Sequence, residues 1–362
     1  MTAIVRVLAA AALPLLAAPL AAGGVRAERE PYLSVRTGLR CAQCHSNRTG
    51  GGGRTEFGSI YAQTRLGMRT VAFRDRLFND FISVGGNFRV LANGAVSQTT
   101  PRTSVEIEEA NVQLYTRLVA QVLALYVDET VGPGAATTRE AFALLEGLPL
   151  EGYLKAGKIL LPYGLRLVDD AEFIRQRTGF TYDTPDLGVE VGIEPGPLSL
   201  FVALSNGTQG AAETNNAKQV TASAALIRSW FRVGASAARN DAGTSRRDVL
   251  GGFAGLNAGR LALLGELDLI RDTETNGARL EQLAGYVEGN FLPARGINVK
   301  ATYGFLDPNR AIGENARIRV RLGVETFPYG FLQVSAFYVL LQDIPQATAD
   351  RDRVFLTLHT HF

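Results

Sequence analysis

Beyond Phe81 the chain never sustains a helical period; apolar and polar residues alternate in short segments separated by turn residues. A period of two over so long a stretch restricts the chain to strands that each offer one apolar and one polar face. Sixteen such segments are legible: near residues 81–92, 105–117, 121–129, 138–146, 152–160, 186–194, 197–206, 218–228, 230–239, 249–258, 260–270, 277–289, 297–306, 316–327, 331–342 and 352–362. Most are close to the ~9–11 residues that a tilted transmembrane strand requires. The odd-numbered gaps (93–104, 130–137, 161–185, 207–217, 240–248, 307–315 and 343–351) tend to be long. The even-numbered ones are mostly tight, such as Gly196, Gly259 and Pro328-Tyr329-Gly330. Trp230, Phe231, Phe291, Phe327, Tyr329, Phe331 and Phe362 gather near the tight side, as an interfacial girdle would. The expectation is an all-β fold over residues 81–362: a 16-stranded antiparallel transmembrane barrel of the outer-membrane type. A soluble β-sandwich explains neither the loop asymmetry nor the girdle.

Composition allows this. Apolar residues make up 46% and charged ones 20%, too apolar for a disordered chain, yet no internal run is long enough for a transmembrane helix. The 37 basic and 35 acidic residues nearly cancel, which excludes the concentrated basic face of a nucleic-acid binder. Met1 to Ala27 reads as an export signal, with Arg6 ahead of an apolar run from Val7 to Ala22 and small residues around Val25-Arg26-Ala27 for cleavage. An uncleaved anchor is the alternative, but the run is short for spanning a bilayer.

Both cysteines of the chain fall in Cys41-Ala42-Gln43-Cys44-His45. Cys-x-x-Cys-His is the attachment motif of c-type haem: two thiols add to the two vinyl groups of one porphyrin, and the adjacent imidazole reaches the iron. A redox dithiol does not need His45, and a zinc site needs further ligands that a chain with three histidines and two cysteines barely supplies. One covalent haem c, held by Cys41, Cys44 and His45, is therefore expected. The sixth iron position stays open among Met68, His359, His361 and no protein ligand at all; Met/His ligation would raise the potential relative to His/His.

Residues 28–80 read as a small haem-bearing plug. Gly50 to Gly53 form a flexible stretch, and Glu56 to Leu66 suit a short amphipathic helix carrying Phe57, Ile60, Tyr61 and Leu66. In the last strand Val354, Leu356, Leu358, Thr360 and Phe362 share a mostly apolar face, so His359 and His361 should point into the lumen. An even strand count returns the C-terminus to the mouth where the plug enters. The longest loop, 161–185, holds Asp169, Asp170 and Glu172, which suit a hard divalent ion such as Fe(II). Arg166, Arg175 and Arg177 of the same loop offset that field, and the simpler expectation is a self-paired, solvated loop folded over the pore.

The layout resembles the fused monohaem cytochrome–porins, whose best-known members are outer-membrane iron oxidases. The resemblance rests on Pro31-Tyr32-Leu33-Ser34-Val35-Arg36-Thr37-Gly38-Leu39 ahead of the Cys41–His45 motif, on Phe57-Gly58, and on a porin-like remainder ending in Phe362. It implies that Cys41 and Cys44 carry the haem with His45 as proximal ligand. It further implies electron transfer from extracellular Fe(II) to a periplasmic carrier such as a soluble cytochrome. The barrel segment is shorter than those of the iron oxidases, and Asn47-Arg48-Thr49-Gly50-Gly51-Gly52-Gly53 departs from their usual pattern. Two other readings stand beside an inward conduit: a diffusion porin whose haem segment gates or senses, and outward delivery of electrons to an external acceptor. Potentials and partners set the direction. No acid–base pair or nucleophile stands out, so an oxidase activity would reside in the haem alone.

Overall fold

A computed structural model describes residues 31–71, 79, 81–96, 102–243, 245–344 and 352–361. The expected export signal at 1–27, most of 72–80 and the terminal Phe362 lie outside these residues. The sixteen strands form one closed antiparallel barrel in which each strand pairs with its sequence neighbours. They are β1 Ile82–Val96, β2 Arg102–Val119, β3 Leu123–Gly132, β4 Thr137–Leu148, β5 Gly152–Ile159, β6 Asp186–Ile193, β7 Leu198–Ser205 and β8 Gln219–Ile227. There follow β9 Phe231–Asp241, β10 Ser245–Ala258, β11 Leu261–Glu274, β12 Arg279–Ala294, β13 Ile297–Asp307, β14 Arg317–Tyr329, β15 Leu332–Asp343 and β16 Asp352–His361. The ring closes where β1 meets β16, from Asn87 opposite His361 to Val96 opposite Asp352. Closure removes the unpaired strand edges that an open sheet of this size would expose.

Side-chain alternation is inverted relative to a soluble protein. On β7, Leu198, Leu200, Val202 and Leu204 face outward and are exposed, while Ser199, Ala203 and Ser205 are buried in the lumen. Asn111, Asp128, Glu140, Lys155, Glu190, Asp268, Glu288 and Lys300 are buried from other strands. Such a surface is stable only when lipid covers the apolar outside. Trp230 and Phe291 remain exposed among the expected girdle residues, but Phe327 does not: it is 1% exposed and clusters with Ala62 and Leu66. Strand alternation puts Phe327 in phase with the buried Arg319 and Glu325 and so turns its ring into the lumen, which strand-end position alone misassigned.

Several strands run longer than their alternation suggested. The expected loop 93–104 is largely the extended ladder of β1 and β2, which pair as far as Ala95 opposite Arg102. The polar residues there kept the hydrogen-bonded ladder after the apolar alternation had faded.

Among the described residues, four short α-helices occupy the lumen: α1 Pro31–Thr37, α2 Cys41–Cys44, α3 Glu56–Tyr61 (continued by a wide turn, Ala62–Leu66) and α4 Phe173–Thr178. The first three belong to the N-terminal segment and the fourth to the long loop between β5 and β6. Tyr32, Tyr126, Tyr153, Phe173, Ile174 and Phe253 are buried with them in one internal cluster.

Candidate functional site

The N-terminal segment is shaped by its own polar residues before it meets the barrel. Ser34 and Thr37 hydroxyls donate to the Leu39 and Leu33 carbonyls at 2.6 and 2.7 Å and close α1. The chain then reverses at Gly38, whose φ of +68° suits a residue without Cβ. One helical turn follows, in which the His45 N–H donates to the Cys41 carbonyl at 2.9 Å. Residues three apart on a helix share a face, ~5–6 Å between Cβ atoms, so both thiols project to the same side. Neither cysteine is in a disulfide. The Thr55 hydroxyl donates to the Gln43 carbonyl at 2.7 Å, its N–H donates to Cys44, and His45 bridges to Arg54, folding 45–54 into a loop beneath the motif.

Cys41, Cys44 and His45 line one cavity. Its walls are mostly apolar, with Leu33, Leu39, Tyr61, Ala62 and Leu66 from the plug and Leu165 from the long loop. Arg40, Arg54, Arg166 and Arg232 also face it. The Nε atoms of Arg166 and Arg232 are buried and have no acceptor among the described residues. Burial pushes the Cys44 thiol pKa up, against an opposing pull from the Arg54 guanidinium. Glycines make the cavity possible. A Cβ on Gly50, where φ is +101°, would sit 3.4 Å from Cys41 Sγ, and one on Gly58 would fall 2.9 Å from Cys44 Cα and closer still to its carbonyl oxygen.

The Asn47–Gly53 stretch anchors this site to the wall. Asn47 Nδ2 donates to both oxygens of Glu140 at 2.7 and 2.9 Å, and Lys155 reaches Asn47 Oδ1 at 3.2 Å and Glu190 at 2.9 Å. Arg48 pairs with Glu146 at 2.9 Å and Glu194 at 3.1 Å, while Gly53 N–H donates to the Tyr126 hydroxyl at 2.9 Å. Buried charges this well paired hold a register rather than add much net stability. On the opposite wall, Met68 and Arg69 N–H groups donate to the Phe327 and Pro328 carbonyls at 2.8 and 3.2 Å.

That arrangement separates the candidates for the sixth ligand from the motif. Met68 lies against Gly296 at the barrel rim and does not line the cavity of Cys41, Cys44 and His45. His359 and His361 do point into the lumen, with ring centroids 3.7 Å apart, but they line a second cavity with Arg89, Glu109, Arg319 and Glu325. None of the three shares a cavity with His45.

The long loop departs from expectation. It is not self-paired and solvated: it folds inside the barrel, with α4 packed on β11, β12 and β13. Asp169 pairs with Arg319 and Arg321 of β14 at 2.8 and 2.5 Å, and fully buried Glu172 pairs with Arg319. The loop's own Arg175 donates instead to the Leu165 carbonyl at 3.2 Å. Among the described residues, no group of three His, Cys, Asp or Glu side chains could hold a bare metal ion. Tyr182 of this loop lines both cavities and so forms the partition between them. The loop's inward turn carried no local sign, since its partners lie some 150 positions away in the chain.

No family model matches the chain, and no curated protein sequence matches it. Solved structures do. A loop-deletion mutant of OmpT, an outer-membrane protein of Vibrio cholerae, superposes with a TM-score of 0.63 at 15% identity over 78% of this chain and 99% of its own. An anion-selective porin from Comamonas acidovorans gives 0.61 at 12% identity over 78% and 99%. The outer-membrane channel DcaP of Acinetobacter baumannii gives 0.57 at 12% identity over 78% and 97%. Roughly the barrel is thus covered, and at such identities the likeness is one of fold: the chain has the 16-stranded architecture of outer-membrane porins.

Proposed function

We propose that the chain is an outer-membrane electron conduit in which one covalent haem c passes electrons between an extracellular donor, Fe(II) in the simplest case, and a periplasmic carrier. The observation that carries this reading is that both free thiols and His45 face one mostly apolar cavity inside a barrel whose lumen is occupied by the plug and the long loop. The residues present fit the group. Cys41 and Cys44 would hold the porphyrin edge, His45 would ligate the iron, and the apolar walls suit a flat macrocycle. The unsatisfied guanidinium nitrogens of Arg166 and Arg232 suit its carboxylate tails. When bound, haem c supplies reversible one-electron chemistry.

The chain's own residues then set orientation and access. Asn47, Arg48 and Gly53 fix the motif to the wall from β3 to the end of β6, Tyr182 and Leu165 separate the cavity from the outer vestibule, and α3 covers its periplasmic side. A barrel blocked in this way suits electrons better than solutes. A second reading, a haem-gated porin, is favoured by the likeness to solved porins and by the second cavity beside the plug, lined by Arg89, Glu109, Arg319, Glu325, His359 and His361. An absorbance assay on intact cells separates the two. Fe(II) kept outside by an impermeant chelator should reduce the c-type haem rapidly, and a His45→Ala strain should show no such change. A haem that only periplasmic reductants reduce removes Fe(II) as the donor.

Substituting Gly58→Val should lower the yield of covalent pigment by about tenfold, because the branched side chain collides with the Cys44 backbone and displaces the second thiol. Haem staining of a denaturing gel, normalised to barrel protein, measures this. An unchanged ratio would mean that the helix yields without moving the motif.

A further inference from the structure

We propose that the exposed side of α3, with the arginines around it, is the docking surface for a soluble electron carrier presenting an acidic ring around a small apolar patch; this surface presupposes the conduit reading above. Phe57 and Ile60 are 48% and 49% exposed, and Thr64 one turn later is exposed as well. These positions fall on one stripe of the helix and its continuing turn. The opposite stripe, Gly58, Ala62 and Leu66, is buried and lines the cavity of Cys41, Cys44 and His45. A partner resting on Phe57 and Ile60 would thus stand about one helix diameter, ~10 Å, from that cavity.

The charge around the stripe is mostly positive. Arg65 and Arg69 are exposed and form no ion pair among the described residues. Arg36 and Arg65 lie close enough to Tyr61 to pull its phenol pKa down, although burial dominates and raises it. Arg295 donates to the Gln63 carbonyl at 3.3 Å and to the Thr70 hydroxyl at 2.9 Å, placing a further guanidinium beside α3. Arg228 and Arg260 are exposed in the neighbouring tight turns. Against these stands Glu56 on the helix itself. An apolar centre with a charged rim is the usual anatomy of small, transient interfaces, and a rim mostly of one sign steers an oppositely charged partner. A lipid headgroup would also meet arginine, but α3 lies within the ring of strand ends, whereas the lipid-level aromatic Trp230 lies on the outer wall.

The test uses the full mature holoprotein in nanodiscs and one soluble monohaem cytochrome c in two forms, with its lysines free or succinylated. Each encounter moves one electron, oxidising one iron as it reduces the other, with no bond or proton transferred. Stopped-flow exchange should be about tenfold or more faster with the acidic, succinylated probe, and salt should erase the difference. Arg65→Glu with Arg69→Glu should reverse the preference. Phe57→Ser with Ile60→Ser should slow the acidic probe by about tenfold while the haem spectrum and its reduction by dithionite stay unchanged. Equal rates for the two probes, or no response to the charge reversal, overturns the surface. Binding of anionic vesicles lost in the same variants, without discrimination between probes, assigns the arginines to lipid and also overturns it. Exchange with neither probe, in a holoprotein that dithionite does reduce, overturns the conduit reading itself.

Discussion

A chain carrying Cys41→Ser and Cys44→Ser should leave the membrane with no haem-stainable band on a denaturing gel, while the barrel itself still assembles. The two thiols are the whole cysteine complement of the protein, so no other residue can form a thioether. Both are only partly buried, and neither bonds to the barrel wall, whose ladders run without a gap from β1 to β16. Loss of barrel stability should therefore stay within about 1 kcal/mol, the range of substitutions that break no packed or paired contact. Heat-modifiable migration of the folded barrel checks the second half of the expectation. Retained staining would mean that the pigment is held elsewhere, and disappearance of the folded band would mean that the motif is structural. Single substitutions should keep one linkage and a weakened, shifted spectrum.

The second large effect is expected from Arg319→Leu combined with Arg321→Leu. These two guanidiniums hold Asp169 and, through Arg319, Glu172, which has no exposed surface. Removing them leaves Glu172 a buried carboxylate with the Thr302 hydroxyl but no cation beside it, and breaking a buried ion pair in this way costs about 3–5 kcal/mol in comparable settings. The long loop has a cheaper alternative than staying in place, which is to leave the lumen and hydrate its carboxylates. Planar-bilayer recordings should then show a low-conductance wild type and a double variant conducting several-fold more ions. Equal conductance would mean that the plug alone closes the barrel.

The architecture was legible because a barrel wall is local in its logic. Each strand shows its lipid face in its own alternation, and the contrast of long and short gaps fixed which end was which. Even His359 and His361 could be sent to the lumen from the facing of Leu356 and Leu358 alone. The Cys41–His45 motif is local as well, since two thiols and an imidazole within five positions need no distant partner, and the haem it would carry is the proposal made above. What stayed hidden depended on pairings across the lumen. Asn47 reads as a loop residue until Glu140 is found opposite it. Asp169 and Glu172 read as a solvated mouth until Arg319 and Arg321 claim them. Met68 is held at the end of β14 by a backbone hydrogen bond to Phe327, which no side-chain identity announces.

The plug is tied to opposite walls of a ring that has no seam. Asn47 and Arg48 grip β4 and the ends of β4 and β6, and Met68 and Arg69 grip the end of β14. A segment fastened on both sides cannot be threaded into a finished cylinder. It has to be present when β16 zips onto β1, and the thiols it carries are then enclosed between the loop above and α3 below. If haem c is the group these thiols carry, its attachment belongs to an earlier moment, while the polypeptide is still an open chain in the periplasm. On the proposed function, biogenesis is then ordered in time: haem attachment comes first, insertion second, and a cell lacking the haem-ligating machinery should accumulate colourless barrels that later supply of haem does not repair.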